Sequence, residues 1–196
     1  MSSRYSWFFF AGSLGPIFSM ALRFVPAQLE RLGASPSLVG DVMAVSTLGG
    51  LVALPVVGVL TSRHPRAVLV VGASLQAAGL WLASRGAEQM GTLAAAVGLM
   101  STGTAALDVG VATAVVSTVP PERRAELLAH YFTLVSLARN VLGSALAEQL
   151  VIHAGFATMA WVLAVGAGLR DGAAIGVLDR HPRHHSISAS CAIVRP

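Results

Sequence analysis

Lysine is absent from this 196-residue chain, cysteine occurs once, and only 11% of the residues are charged. Each shortage excludes something. A soluble domain of this size carries about 25% charged residues. With 55% hydrophobic residues and a mean hydropathy of +0.71, a water-soluble globule does not account for the composition. The lone Cys191 permits no disulfide within the chain, so a solvated, inert thiol is expected there. All 13 basic residues are arginines, set singly or in pairs along the sequence. Nucleic-acid binders gather their charge on one face, so the net charge of +4 and the pI of 10.6 do not point to nucleic acid.

Six apolar blocks fill the chain instead, at 7–29, 38–60, 67–83, 90–119, 127–152 and 156–178. Most approach the ~20 residues that carry a helix across ~30 Å of hydrocarbon. Backbone polar groups in lipid must bond within their own segment, which favours helices. A barrel would show ~10-residue alternating segments, and none is visible. The first block is longer than the apolar region of a signal peptide and is read as a helix. The expected fold is therefore an all-α membrane protein, a bundle of six transmembrane helices over residues 1–178. A disordered tail, basic and then serine-rich, is expected at 179–196. The sixth block is uneven: 156–169 is short for a crossing, and Arg170-Asp171 separates it from the apolar residues up to 178. Either helix 6 carries that pair near its inner end or it breaks there.

The arginines set an orientation. With the N-terminus inside, the inner segments hold Arg4, Arg63, Arg66, Arg123, Arg124, Arg170, Arg180, Arg183 and Arg195, while the outer loops hold only Arg31 and Arg85. Arginine accumulates on the cytoplasmic side, so a multi-pass protein of the plasma (inner) membrane with both termini in the cytoplasm is expected. Between the first two blocks, Gly33 suits a helix C-cap and Ser35 or Ser37 an N-cap.

Charge at membrane depth is expensive and marks candidate sites. Arg139 lies ~19 Å into the fifth block, and Asp108 ~16 Å from the end of the fourth, at 1.5 Å per residue. The midpoint of the two is the Glu122–Arg124 turn, so folding the hairpin there brings them to nearly the same depth. They are expected to pair or to face one cavity; a static interhelical salt bridge is the plainer alternative. Thr133, Ser136, Asn140, Ser144 and Glu148 recur at helical spacing in the fifth block, bordered by Arg139. Ser101, Thr104 and Asp108 do the same in the fourth. Such stripes either glue helices together or line a water-filled path, and five polar residues with an arginine favour a path. Asp108, Arg139, Asn140, Ser136 and Ser144 are the expected path residues. Gly98, Thr102, Ala106 and Gly110 form an expected small-residue packing seam. Arg23, near the outer end of the first block, is read as snorkelling to the interface. No Cys/His metal cluster, G-x-S-x-G elbow or phosphate-binding glycine loop is present, so no enzyme, metal or cofactor is expected.

The turn Gly58-Val59-Leu60-Thr61-Ser62-Arg63-His64-Pro65-Arg66-Ala67 resembles the G-x-L-x-D-R-x-G-R-R loop of the major facilitator superfamily. Gly58, Leu60, Arg63 and Arg66 match; Ser62, Pro65 and Ala67 depart. Arg23-Phe24-Val25-Pro26 through Ser35 is similar to the family's first helix and outer loop, and Val119 to Arg124 to the turn before its fifth helix. The family's glycine-and-proline motif in that helix keeps Gly143 and replaces the rest with Ser144, Ala147 and Glu148. The arginine that many proton-coupled members carry in the fourth helix stands here as Leu99. The resemblance covers about residues 5–170 and implies one six-helix half of a fold whose two halves enclose a midplane site. It further implies a secondary transporter that moves a small-molecule solute by alternating access, as a homodimer or with a second six-helix half. A truncated or partner subunit without transport of its own is the alternative.

Overall fold

The computed structural model describes residue 17 and residues 19–118 and 120–179; at 62, 65, 66, 114, 115, 117, 118 and 170–179 it describes the backbone alone. The expected tail beyond residue 179, the first 16 residues and the side chains of Arg66, Arg170 and Asp171 lie outside the described residues. Every regular element among the described residues is helical. A 3-10 turn, Ser19–Arg23, leads into the short α1, Val25–Arg31. Four longer helices come next: α2 Pro36–Arg63, α3 Pro65–Arg85, α4 Met90–Thr118 and α5 Pro121–Leu137. A π-helical segment, Ala138–Gly143, joins α5 to α6, Ser144–Asp179.

Local chemistry sets these boundaries. After α1, Gly33 adopts φ +84°, its N–H donates to Glu30 O (2.9 Å), and Ala34 N–H donates to Leu29 O (3.0 Å). That pair of bonds around a left-handed glycine is a Schellman stop. The Ser35 hydroxyl then accepts from Leu38 N–H, with Pro36 in the first turn of α2. Proline is favoured there because its missing N–H would have had no partner. The same device restarts the chain twice more, at Pro65 after His64 and at Pro121 after Pro120.

Among the described residues, four stretches are long and apolar enough to cross a membrane: 36–61, 67–85, 90–113 and the 49-residue run 121–169. Six separate helices were expected. The expected fifth and sixth run on as one helical path, interrupted at Gly155, where φ +80° and ψ 168° are not helical. The break falls inside the short gap between the two blocks, because only glycine enters that region without strain. At Arg170-Asp171 the backbone stays helical.

Packing centres on α3, which runs along both α4 and α6, while α2 lies along α4. Leu80 of α3, Leu93, Val97 and Met100 of α4, and Met159 and Leu163 of α6 are buried in one core with Val25 and Leu29 of α1. The α3–α4 contact is close because glycines face it. A Cβ on Gly103 would stand 2.6 Å from Gln76 N and from Gly72 O, and one on Gly79 would stand 2.9 Å from Ala96 O. A Cβ on Gly110 would meet Leu69 at 2.8 Å. The expected seam is therefore only half right. Ala106 and Gly110 lie in the contact, whereas Gly98 has nothing near its Cβ position and Thr102 bonds its own helix at Gly98 O (2.9 Å). Spacing by four drifts about 40° per step around a helix, while spacing by seven, as in Ala96, Gly103 and Gly110, drifts only about 20°. The heptad is the row that stays against α3.

Gly103→Ala should destabilise the detergent-solubilised chain by about 1–3 kcal/mol, and Gly98→Ala by no more than about 0.5 kcal/mol. Denaturant unfolding followed by circular dichroism checks both; equal stability of the two variants would contradict the close approach.

Candidate functional site

Asp108 and Arg139 meet. The Arg139 Nη2 lies 3.6 Å from the Asp108 Oδ2, and the two side chains are 32% and 41% exposed. The hairpin of α4 and α5 puts them there. Val111, one turn beyond Asp108, is buried with Tyr131 and Val135, the latter one turn before Arg139, and Leu69 of α3 packs against them. This apolar knot fastens the two helices beside the charges. Tyr131 is only 1% exposed. Nothing in the sequence singled out Tyr131, since one aromatic residue in an apolar run looks like core.

The contact is an ion pair rather than a hydrogen bond. Charge-assisted N–H···O bonds fall near 2.8 Å, and the Nε and Nη2 of Arg139 are shut off from solvent without a hydrogen-bond partner. The guanidinium is thus held electrostatically, with donors to spare.

Two further path candidates are joined by a residue assigned elsewhere. Arg23 donates from Nη2 to the Asn140 Oδ1 (2.8 Å) and from Nη1 to the Ser144 Oγ (3.1 Å). Read as snorkelling, it instead clamps the π-helical segment and its flank through these two bonds. Ser144 also approaches the Met20 sulfur at 3.5 Å and the Arg139 carbonyl at 3.4 Å. Gly143 permits this closeness: a Cβ there would stand 2.6 Å from the Met20 Cγ and 3.3 Å from the Ile17 Cα. The partners of Arg23 lie 117 and 121 residues away, and no local pattern marks such a contact.

The remaining candidates scatter. Ser136 and Glu148 are exposed. Thr133 bonds back to Ala129 O (2.9 Å). The π segment shifts the helical phase between Ser136 and Ser144, so the stripe is not one straight row. In α4, Thr104 turns to α3, where it accepts from the buried Gln76 Nε2 at 3.2 Å. It therefore ties α4 to α3. Gly58, Leu60 and Arg63 occupy the last turns of α2, with Arg63 exposed. A cleft of about 690 Å³ opens between α2 and α4, lined by Asp41, Ser46, Gly49, Gly98, Leu99 and Thr102 among others; the ion pair is not part of its lining. Among the described residues no group of three or more His, Cys, Asp or Glu side chains gathers as a metal site would require.

The family model Major Facilitator Superfamily matches residues 2–189 of this helical chain. The chain belongs to that superfamily. No curated protein matches it at a significant level. Major facilitator members are membrane transporters. The stretch matched includes the Gly58–Arg66 turn, the Asp108–Arg139 pair and the Arg23 clamp.

A double-mutant cycle with Asp108→Asn and Arg139→Gln should give a coupling energy of about 0.5–2 kcal/mol in chemical unfolding. Additive effects would mean that the two charges ignore one another.

Proposed function

We propose that this major facilitator chain moves a small solute across the membrane by alternating access, with Asp108, Arg139, Asn140, Ser136 and Ser144 facing the path. One observation carries the reading: Arg23, Asp108 and Arg139 are each at least partly exposed at the depth of the α4–α5 pair. Ionised groups facing hydrocarbon are strongly disfavoured, so this face looks onto water or solute. Arg63 and Arg66 stabilise one conformation at the cytoplasmic end.

Six crossings complete the bundle. The run 121–169 spans ~74 Å at 1.5 Å per residue, more than twice the ~30 Å of a bilayer core, and Gly155 divides it. With 36–61, 67–85 and 90–113 that makes five crossings among the described residues, and the first apolar block, most of which lies outside them, is the sixth the sequence calls for. The arginine distribution supports cytoplasmic termini, and the reading is of a plasma (inner) membrane protein. An alternating-access path needs a second wall, supplied by another copy of the chain or by a separate six-helix half. The exposed apolar side chains of α2, among them Val45, Leu48, Val52 and Val56, also suit the alternative reading of a partner subunit without transport of its own.

Light scattering of the purified chain in detergent separates these readings. A stable dimer supports transport by two copies, and a monomer directs the search to a separate half. In the working assembly, Asp108→Asn should abolish uptake or efflux while the protein still inserts; normal flux in that variant would sink the site assignment.

A further inference from the structure

Charge at the centre of this fold does not balance. Arg139 has Asp108 as its counter-ion at 3.6 Å. Arg23 has none: both of its contacts, Asn140 Oδ1 and Ser144 Oγ, are neutral, and among the described residues no carboxylate forms an ion pair with it. Neutral acceptors orient a guanidinium without discharging it. Two cations and one anion leave a net charge of +1 around the π segment.

Donors are in surplus as well. A guanidinium carries five N–H groups, and Arg23 uses two of them on Asn140 and Ser144. Arg139 Nε and Nη2 are also unbonded but shut off from solvent, so the donors open to a solute are those of Arg23. Planar, permanently charged forks of this kind fit carboxylate and phosphate oxygens. A cationic solute finds the reverse situation, because the only carboxylate of the cluster already faces Arg139.

We infer that the site receives a small anion, a carboxylate, sulfonate or phosphate compound, on Arg23 as Asn140 and Ser144 hold it beside the Arg139–Asp108 pair. This rests on the reading of the same face as a solute path and adds the charge of the solute. The bound anion offsets the unbalanced cation and takes up donors that the protein leaves unused. Asn140 and Ser144 act as positioning residues, fixing the guanidinium in one orientation.

The local potential can be read without knowing the solute. Cys191→Ser removes the native thiol and Ser136→Cys places a reporter one turn from Asn140 on an exposed position. The chain, in lipid nanodiscs, is treated with a negatively charged sulfonatoethyl and a positively charged trimethylammonioethyl methanethiosulfonate. The anionic reagent should react faster by about ten-fold or more, after division by the same ratio for free cysteine. Arg23→Gln should bring the ratio back to that of free cysteine, and Arg23→Lys should retain most of it. A parent ratio equal to that of free cysteine, or favouring the cation, overturns the anion assignment and leaves the path reading standing. Labelling by neither reagent overturns both. An anion preference that survives Arg23→Gln overturns the role of Arg23.

Discussion

Inside a bilayer a polar atom finds its partner within the protein or finds none. In this chain that constraint reaches furthest at the π-helical segment Ala138–Gly143. Arg139 leans on Asp108, and Asn140 with Ser144 holds Arg23. Through these few contacts α4, the first segment and the α5–α6 path are tied to one point. The apolar knot of Val111, Tyr131 and Val135 supports the same junction from one side, and the bare backbone at Gly143 admits Met20 from the other. Elsewhere the bundle relies on close approach, since apolar side chains gain little from leaving lipid for protein. The glycines between α3 and α4 supply that approach.

Much of this could be read from the residues. Apolar blocks at 38–60, 67–83 and 90–119 became helices Pro36–Arg63, Pro65–Arg85 and Met90–Thr118, because proline and capping residues bound each run. Gly33 and Ser35 form the stop and start that their chemistry suggests. The Asp108–Arg139 pair came from hairpin arithmetic alone, which needs only a turn of known place and a constant rise.

The features that could not be read depend on distance or on phase. Arg23 sits at the edge of an apolar block, where snorkelling is the usual fate of arginine; its true partners are more than a hundred residues away. The seam in α4 was assigned to the wrong row in part, because spacing by four and spacing by seven are both rich in small residues there. Thr104, read in one row with Asp108, also bonds Gln76 of α3, a contact that spacing does not reveal. A π turn has no sequence signature in a run of apolar residues, so the bend in the polar stripe at Ser136–Ser144 was invisible.

That π turn also changes what an insertion or a deletion means here. In an ordinary α-helix, losing one residue swings everything beyond it by about 100°, and a packed membrane helix does not survive that rotation. A π segment already holds one residue more than the α-helical path needs, as such bulges do. Removing a single residue between Ala138 and Gly143 therefore leaves the flanking helices facing their neighbours and erases only the local arrangement of Arg139, Asn140 and Ser144. The bundle and its charged centre are separable at this one place, by length of chain rather than by kind of residue.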